Sequence, residues 1–128
     1  MRLLLDTHTF IWWDSNPEKL SSRVLEACQD DENVLVLNIA LVWEMQIKLQ
    51  LGKLKLAMSL ADIIDGQRQA NNLEILPITL PQIIAHEKLP SHHKDPFDRM
   101  LIAQAIVEDV MLLSRDAMFV NYPAKILW

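Results

Sequence analysis

Cysteine is almost missing from this chain. Cys28 stands alone, which excludes a disulfide framework and a cysteine-ligated zinc site; among helix formers it reads as a small buried apolar residue. Glycine is nearly as scarce, with only Gly52 and Gly66, so no phosphate loop of the GxxxxGK or GxGxxG kind can form. No apolar run approaches the roughly 18 residues of a membrane span, and the start MRLLLDTHTF lacks the long apolar stretch after a basic end that marks a signal peptide. Basic residues are outnumbered, 12 Lys and Arg against 17 Asp and Glu for a net charge of −5, the reverse of the basic footprint of most nucleic-acid binders. What is present is core material: 51% hydrophobic against 23% charged residues describes a globular protein and excludes disorder. The 128 residues fit one domain that buries about two thirds of its unfolded surface. The expectation is a soluble, intracellular, single domain over residues 1–128.

Short apolar runs alternate with helical stretches. Residues 2–6 (RLLLD), 34–37, 73–76 (LEIL) and 111–114 read as strands, and 126–128 can add a fifth. Helices are expected from Pro17 to about Asp30, from Ile39 (capped by Asn38, stopped by Gly52) to Leu51, from Ser59 to about Asn72, from Pro81 to Leu89, and from Pro96 to about Glu108. That alternation implies βαβ units: a three-layer α/β/α domain around a mostly parallel, four- to five-stranded sheet.

Sites in such sheets form beyond the carboxyl ends of the strands. Asp6 ends the first strand and Asp116 lies just past the fourth, so both point to one edge. On the helix after Pro96, about 100° per residue places Asp98 between Ile102 and Ala105 on the apolar arc, with Gln104 and Glu108 on the polar one. The helix from Ile39 carries two opposed polar stripes, Gln46/Gln50 and Glu44/Lys48, where a surface helix shows one; Glu44, in the earlier turn, is the better candidate to look inward. Four carboxylates meeting in one pocket cannot all stay ionised without a cation. Oxygen-only ligands suit Mg²⁺ or Mn²⁺, and the matching chemistry is metal-assisted attack of water on a phosphodiester.

Each acid has a plainer reading beside this one. Asp6 can be a strand-end polar residue, Glu44 an i,i+4 partner of Lys48, Asp98 a first-turn helix stabiliser, and Asp116 a cap on Ala117–Val120. Asp95 reads first as the N-cap before Pro96 and only second as a ligand.

Four segments in order, LLLDTHTFIWW, VWEMQIKLQLGKL, HHKDPFDRMLIAQA and LLSRDAMF, resemble the PIN-domain VapC-type toxin ribonucleases from residue 2 to Trp128. The resemblance implies a cytoplasmic endoribonuclease held inactive by a cognate antitoxin, a homodimer, and a site for Mg²⁺ or Mn²⁺ built on an acidic quartet. By motif position that quartet falls on Asp6, Glu44, Asp98 and Asp116, with Asp6 and Asp98 the surest ligands and Thr7 placed to bond Asp6 or substrate. Departures are His8, where the wider superfamily has asparagine, and Asn38–Ile39, where many relatives carry serine or threonine.

An RNA substrate needs cations near the acids. Lys48, Lys53, Lys55, Lys94, Arg99 and Arg115 lie beside the motif segments, with Lys48, Arg99 and Arg115 the candidates for the RNA backbone; each can equally be a solvated surface cation. His92 and His93 read as loop polarity, with phosphate contact second. Trp12, Trp13, Trp43 and Trp128 read as core, or as an interface. A haloacid-dehalogenase-type phosphotransferase needs an aspartate where His8 stands, and a receiver domain needs an acidic pair that Asp6–Thr7 does not supply. The remaining alternative is a catalytically silent PIN-fold interaction module.

Overall fold

Leu3, Leu4 and Leu5 are all fully buried, which a strand permits only when both faces of its sheet are covered. They belong to β1 (Arg2–Leu5), the centre of the computed structural model, which describes residues 1–128. β2 (Val34–Asn38) and β4 (Met111–Leu113) flank β1, so that Leu4 sits opposite Val36 on one side and Leu112 on the other. β3 (Glu74–Leu76) lies outside β2 and β5 (Ile126–Leu127) outside β4, giving the order β3-β2-β1-β4-β5. Every pairing is parallel, the full five-stranded form of the expected sheet.

Parallel neighbours require crossover connections. α1 (Thr7–Ser15) and α2 (Ser22–Gln29) join β1 to β2, α3 (Ile39–Gln50) and α4 (Leu60–Asn71) join β2 to β3, and α5 (Leu80–Glu87) and α6 (Pro96–Val107) join β3 to β4. Chain order along the sheet reverses between β1 and β4, and a crevice opens beyond the carboxyl ends of strands at such a point. The core beneath it contains Phe10, Leu37, Leu41, Met45, Leu101, Ile102, Leu113 and Phe119.

Three local readings change. α1 occupies residues left unassigned above, because THTFIWWDS is rich in β-branched and aromatic residues of poor helix propensity and shows no apolar stripe. It is held by Asp6, whose carboxylate accepts the Thr9 N–H, and by burial of Phe10. Pro17 opens only a 3₁₀ turn (Pro17–Lys19); α2 starts after Ser21, whose hydroxyl accepts the Val24 N–H. Gln104, expected on the polar arc of α6, is fully buried and donates to the Pro77 carbonyl and to Gln82 on α5.

Other punctuation holds. The Asn38 side chain accepts the Ala40 N–H at the start of α3, and Gly52, at φ +71°, takes the left-handed conformation that ends it. Cys28 is half-buried at the core's margin, and burial pushes its thiol up to about 11. Trp12, Trp13 and Trp128 pack half-buried on the core, whereas Trp43 is 63% exposed.

Candidate active site

Where β1 and β4 end, hydrogen bonds join the two chain segments. The Asp6 N–H and the Thr9 hydroxyl both donate to the Leu113 carbonyl, at 3.3 and 3.0 Å. One oxygen of the Asp6 carboxylate accepts the Thr9 N–H at 2.8 Å and the other accepts the Ser114 hydroxyl. Ser114 in turn accepts the Asp116 N–H at 3.1 Å, so one buried hydroxyl sets the positions of two acids. The sequence reading passed over Ser114; its signal was a small hydroxyl residue directly after β4 at the point where the strand order reverses.

α3 contributes Glu44, which is 8% exposed although it lies mid-helix. Its carboxylate accepts the Thr7 hydroxyl at 3.1 Å and lies 3.8 Å from the Lys48 ammonium. The inward reading and the i,i+4 pair therefore describe the same side chain. Thr7 bonds Glu44, not Asp6.

α6 begins with Asp95, whose carboxylate accepts the N–H groups of Phe97 and Asp98, at 2.7 and 3.3 Å, as an N-cap does. Asp98 stands in the first turn. Burial raises its carboxyl pKa from the ordinary 3.8 to about 6; the charges of Asp95, Glu44 and Asp116 add to the rise and His93 opposes it.

Asp116 follows β4 and caps the short 3₁₀ turn Ala117–Asn121 by accepting the Met118 N–H at 2.9 Å. Its other oxygen is 2.9 Å from Nε2 of His93. Burial pushes the Asp116 pKa up, but the hydrogen bonds from His93 and Met118 outweigh it and hold the carboxyl below its ordinary value. His93 is not loop polarity. Its ring stacks on Phe119, with centroids 4.5 Å apart, and Nδ1 lies 2.9 Å from the Tyr122 hydroxyl, so both nitrogens are engaged and the ring is fixed behind Asp116.

Asp6, Thr7, Glu44, Lys48, Asp95, Asp98 and Asp116 line a single cavity of about 180 Å³. Five carboxylates face one ammonium there. No three His, Cys, Asp or Glu side chains group closely enough to hold an ion by themselves, so a metal here would take part of its coordination from water or substrate. Its five carboxylates supply oxygen donors, the set that Mg²⁺ and Mn²⁺ favour, and the His8 imidazole also stands on the wall. Asp6 and Asp116 also form a wall of an adjoining recess of about 390 Å³ with His8, Trp12 and Arg115.

Arg99, a candidate above for the RNA backbone, is engaged within the protein. Its guanidinium donates to the carbonyls of Pro90 and His86, at 2.9 and 3.0 Å, and at 3.4 Å to those of His93 and Leu89. That cation fastens the segment between α5 and α6. Lys53, Lys55 and Lys94 are exposed and line neither the cavity nor the recess.

Known proteins share this architecture. The family profile of the PIN domain matches residues 3–125. Ribonuclease VapC22 of Mycobacterium tuberculosis is 28% identical over 116 residues, covering 89% of this chain and 86% of its own. Among solved structures, a chain in the crystal structure of VapBC2 from Rickettsia felis bound to a promoter DNA fragment superposes with a TM-score of 0.74 at 16% identity, over 99% of this chain and 98% of that one. A chain of FitAcB from Neisseria gonorrhoeae superposes at 0.63, also at 16% identity, over 98% and 96%. These structural likenesses concern the fold, while the profile spans nearly the whole sequence: the chain belongs to the PIN domain family.

Proposed function

We propose that this protein is a divalent-metal-dependent endoribonuclease, the toxin of a toxin–antitoxin pair, and that its acidic cavity hydrolyses RNA phosphodiester bonds. The observation that carries this reading is the convergence of Asp6, Glu44, Asp98 and Asp116 from four separate segments on one cavity with a single ammonium. Such a charge balance is completed by a cation, and the named ribonuclease relative supplies the substrate class.

Asp6 and Asp98 would hold Mg²⁺ or Mn²⁺, with Glu44 and Asp116 completing the site directly or through water. When bound, the metal supplies Lewis-acid polarisation of the scissile phosphate and a bound water of lowered pKa. The chain's own groups do the rest. Ser114 and the Thr9 N–H hold both oxygens of Asp6 in place. Thr7 orients Glu44. Asp116, fixed by Met118 and His93, or Glu44, orients the attacking water and takes its proton. Water adds to phosphorus as the bond to the 3′ oxygen breaks, and that oxygen takes up a proton from solvent, leaving 5′-phosphate and 3′-hydroxyl ends. Of the cations offered to RNA, Lys48 and Arg115 remain after Arg99 is removed from the set.

A protein antitoxin and a second copy of the chain are the expected partners, in a cytoplasmic setting. The structural neighbours are themselves named as two-component assemblies. Exposed apolar side chains such as Trp43, Leu80 and Ile83 offer surface for protein contact, and no helix is long and apolar enough to cross a membrane.

The deciding experiment is cleavage of a defined tRNA and an rRNA-loop RNA by the purified protein, in Mg²⁺ or EDTA, beside Asp6→Asn. Cutting that needs Mg²⁺ and disappears in the variant is the expected result. Absence of both cutting and Mg²⁺ uptake would replace the nuclease by a silent interaction module.

A further inference from the structure

Resting on the nuclease reading, we propose that the recess formed by His8, Trp12 and Arg115 is a nucleotide subsite, which takes the base and phosphate next to the bond being cut in a single-stranded RNA.

Three features of the recess support this. First, it is continuous with the acidic cavity, because Asp6 and Asp116 line both; an RNA strand with one phosphate at the acids has its next nucleotide here. Second, its walls are an aromatic surface and a free cation. The rings of His8 and Trp12 lie 5.6 Å apart and tilted by 41°, with Trp128 6.0 Å beyond Trp12. Arg115 is exposed and forms no hydrogen bond or ion pair with the protein. Every base has a π face that an aromatic side chain can accept, and an arginine fork matches a phosphate. Third, two other groups of matching type near the acids are already engaged: Arg99 is bound to carbonyls and both nitrogens of His93 are occupied. Lys48, 3.8 Å from Glu44, lines the acidic cavity and not the recess. Arg115 and the His8 ring are what the recess itself offers a ligand. The volume, about 390 Å³, accommodates a nucleotide.

The subsite also resolves the charge paradox locally. A chain of net charge −5 lacks a net positive charge to draw RNA in, so stacking and one well-placed guanidinium provide much of the grip outside the acidic cavity. Recognition of that kind selects unstacked bases in loops or single strands over duplex RNA.

The test measures binding of a fluorescein-labelled, single-stranded RNA hexamer by anisotropy, in EDTA so that no cleavage intervenes. A second hexamer carries one abasic position, and KM and kcat are measured separately in Mg²⁺. Trp12→Leu is expected to weaken binding roughly five- to hundredfold, the span of one lost stacking contact, while Trp12→Phe restores most of it. Arg115→Gln, which removes no internal contact, is expected to lower the slope of log affinity against log salt by about 0.7. In both weakened variants the catalytic loss falls on KM more than on kcat. The abasic hexamer should bind wild type poorly and Trp12→Leu no worse than the intact hexamer does. Equal affinities for wild type, Trp12→Leu and Arg115→Gln would overturn the subsite even if the enzyme cuts RNA. If the recess instead serves a protein partner, RNA binding is unchanged in all variants and the subsite is again refuted. Loss of metal-dependent cutting in wild type itself would remove the nuclease reading, a separate outcome from either.

Discussion

Two polar clusters are set into this small domain, and they are built on opposite principles. Between α5 and α6, Gln82 donates to Glu108 at 2.9 Å and accepts from Gln104 and from the Thr79 N–H, while Gln104 also donates to the Pro77 carbonyl. Donors meet acceptors almost throughout, leaving only Oε1 of Gln104 without a partner. At the carboxyl edge of the sheet, five acids meet one lysine, and burial, with repulsion from Asp95, Glu44 and Asp116, raises Asp98 to about 6. A satisfied network holds two helices together. An excess of like charge holds free energy in reserve for a ligand, which is why such electrostatics marks the functional end of the molecule.

Removing one polar group from each cluster should therefore have opposite consequences. Asp98→Asn is expected to cut RNA cleavage by roughly 10²–10⁴-fold, yet to raise the stability of the metal-free protein at pH 7.5 by about 1 kcal/mol, read by urea melts in EDTA. A fall in stability would show that the acids are balanced without metal. The pH dependence follows from the same group. Its folded pKa is the higher one, so the native state holds the proton more tightly than the unfolded chain. The contribution of Asp98 to stability is thus complete below about pH 4 and is lost as pH rises through about 6. Metal competes with that proton, so Mg²⁺ affinity in calorimetric titrations should decline below about pH 6 and lose that decline in Asp98→Asn.

A smaller effect is expected behind Asp116. His93→Ala leaves the acid held by Met118 alone, and should lower Mn²⁺ affinity about ten- to a hundredfold; wild-type affinity would show that the ring only packs against Phe119. The smallest consequence for chemistry should come from the other cluster. Gln104→Ala leaves Gln82 short of a donor and should cost about 1–3 kcal/mol in urea melts, with cleavage per folded molecule unchanged. Impaired turnover would mean that the two clusters are coupled through α6.

Much of this was open to reading along the chain. A strand of three consecutive leucines, a cap at Asn38, a stop at Gly52 and Asp95–Pro96 opening a helix are local signals, because each depends on the conformational preferences of a few adjacent residues. The inward turn of Glu44 also showed, since two opposed polar stripes cannot both face water on one helix. α1 did not show: its helix rests on Asp6 as a cap and Phe10 in the core, not on propensity or periodicity. Gln104 resembled a surface residue because residue type says nothing about whether α5 will cover that face.

What the sequence by itself determined is the order of the strands and of the helices other than α1, the family motifs and the chemical character of the acidic residues. These are properties of short stretches and survive any rearrangement of distant parts. Which cations are free and which hydrogen bonds hold the acids was decided only by the tertiary structure. Arg99 turned to four carbonyls while Arg115 stayed unbonded; Ser114 reached back 108 residues to Asp6; His93 locked behind Asp116. A side chain's partner is set by which segments the sheet brings together, and at such separations along the chain proximity comes from the fold alone.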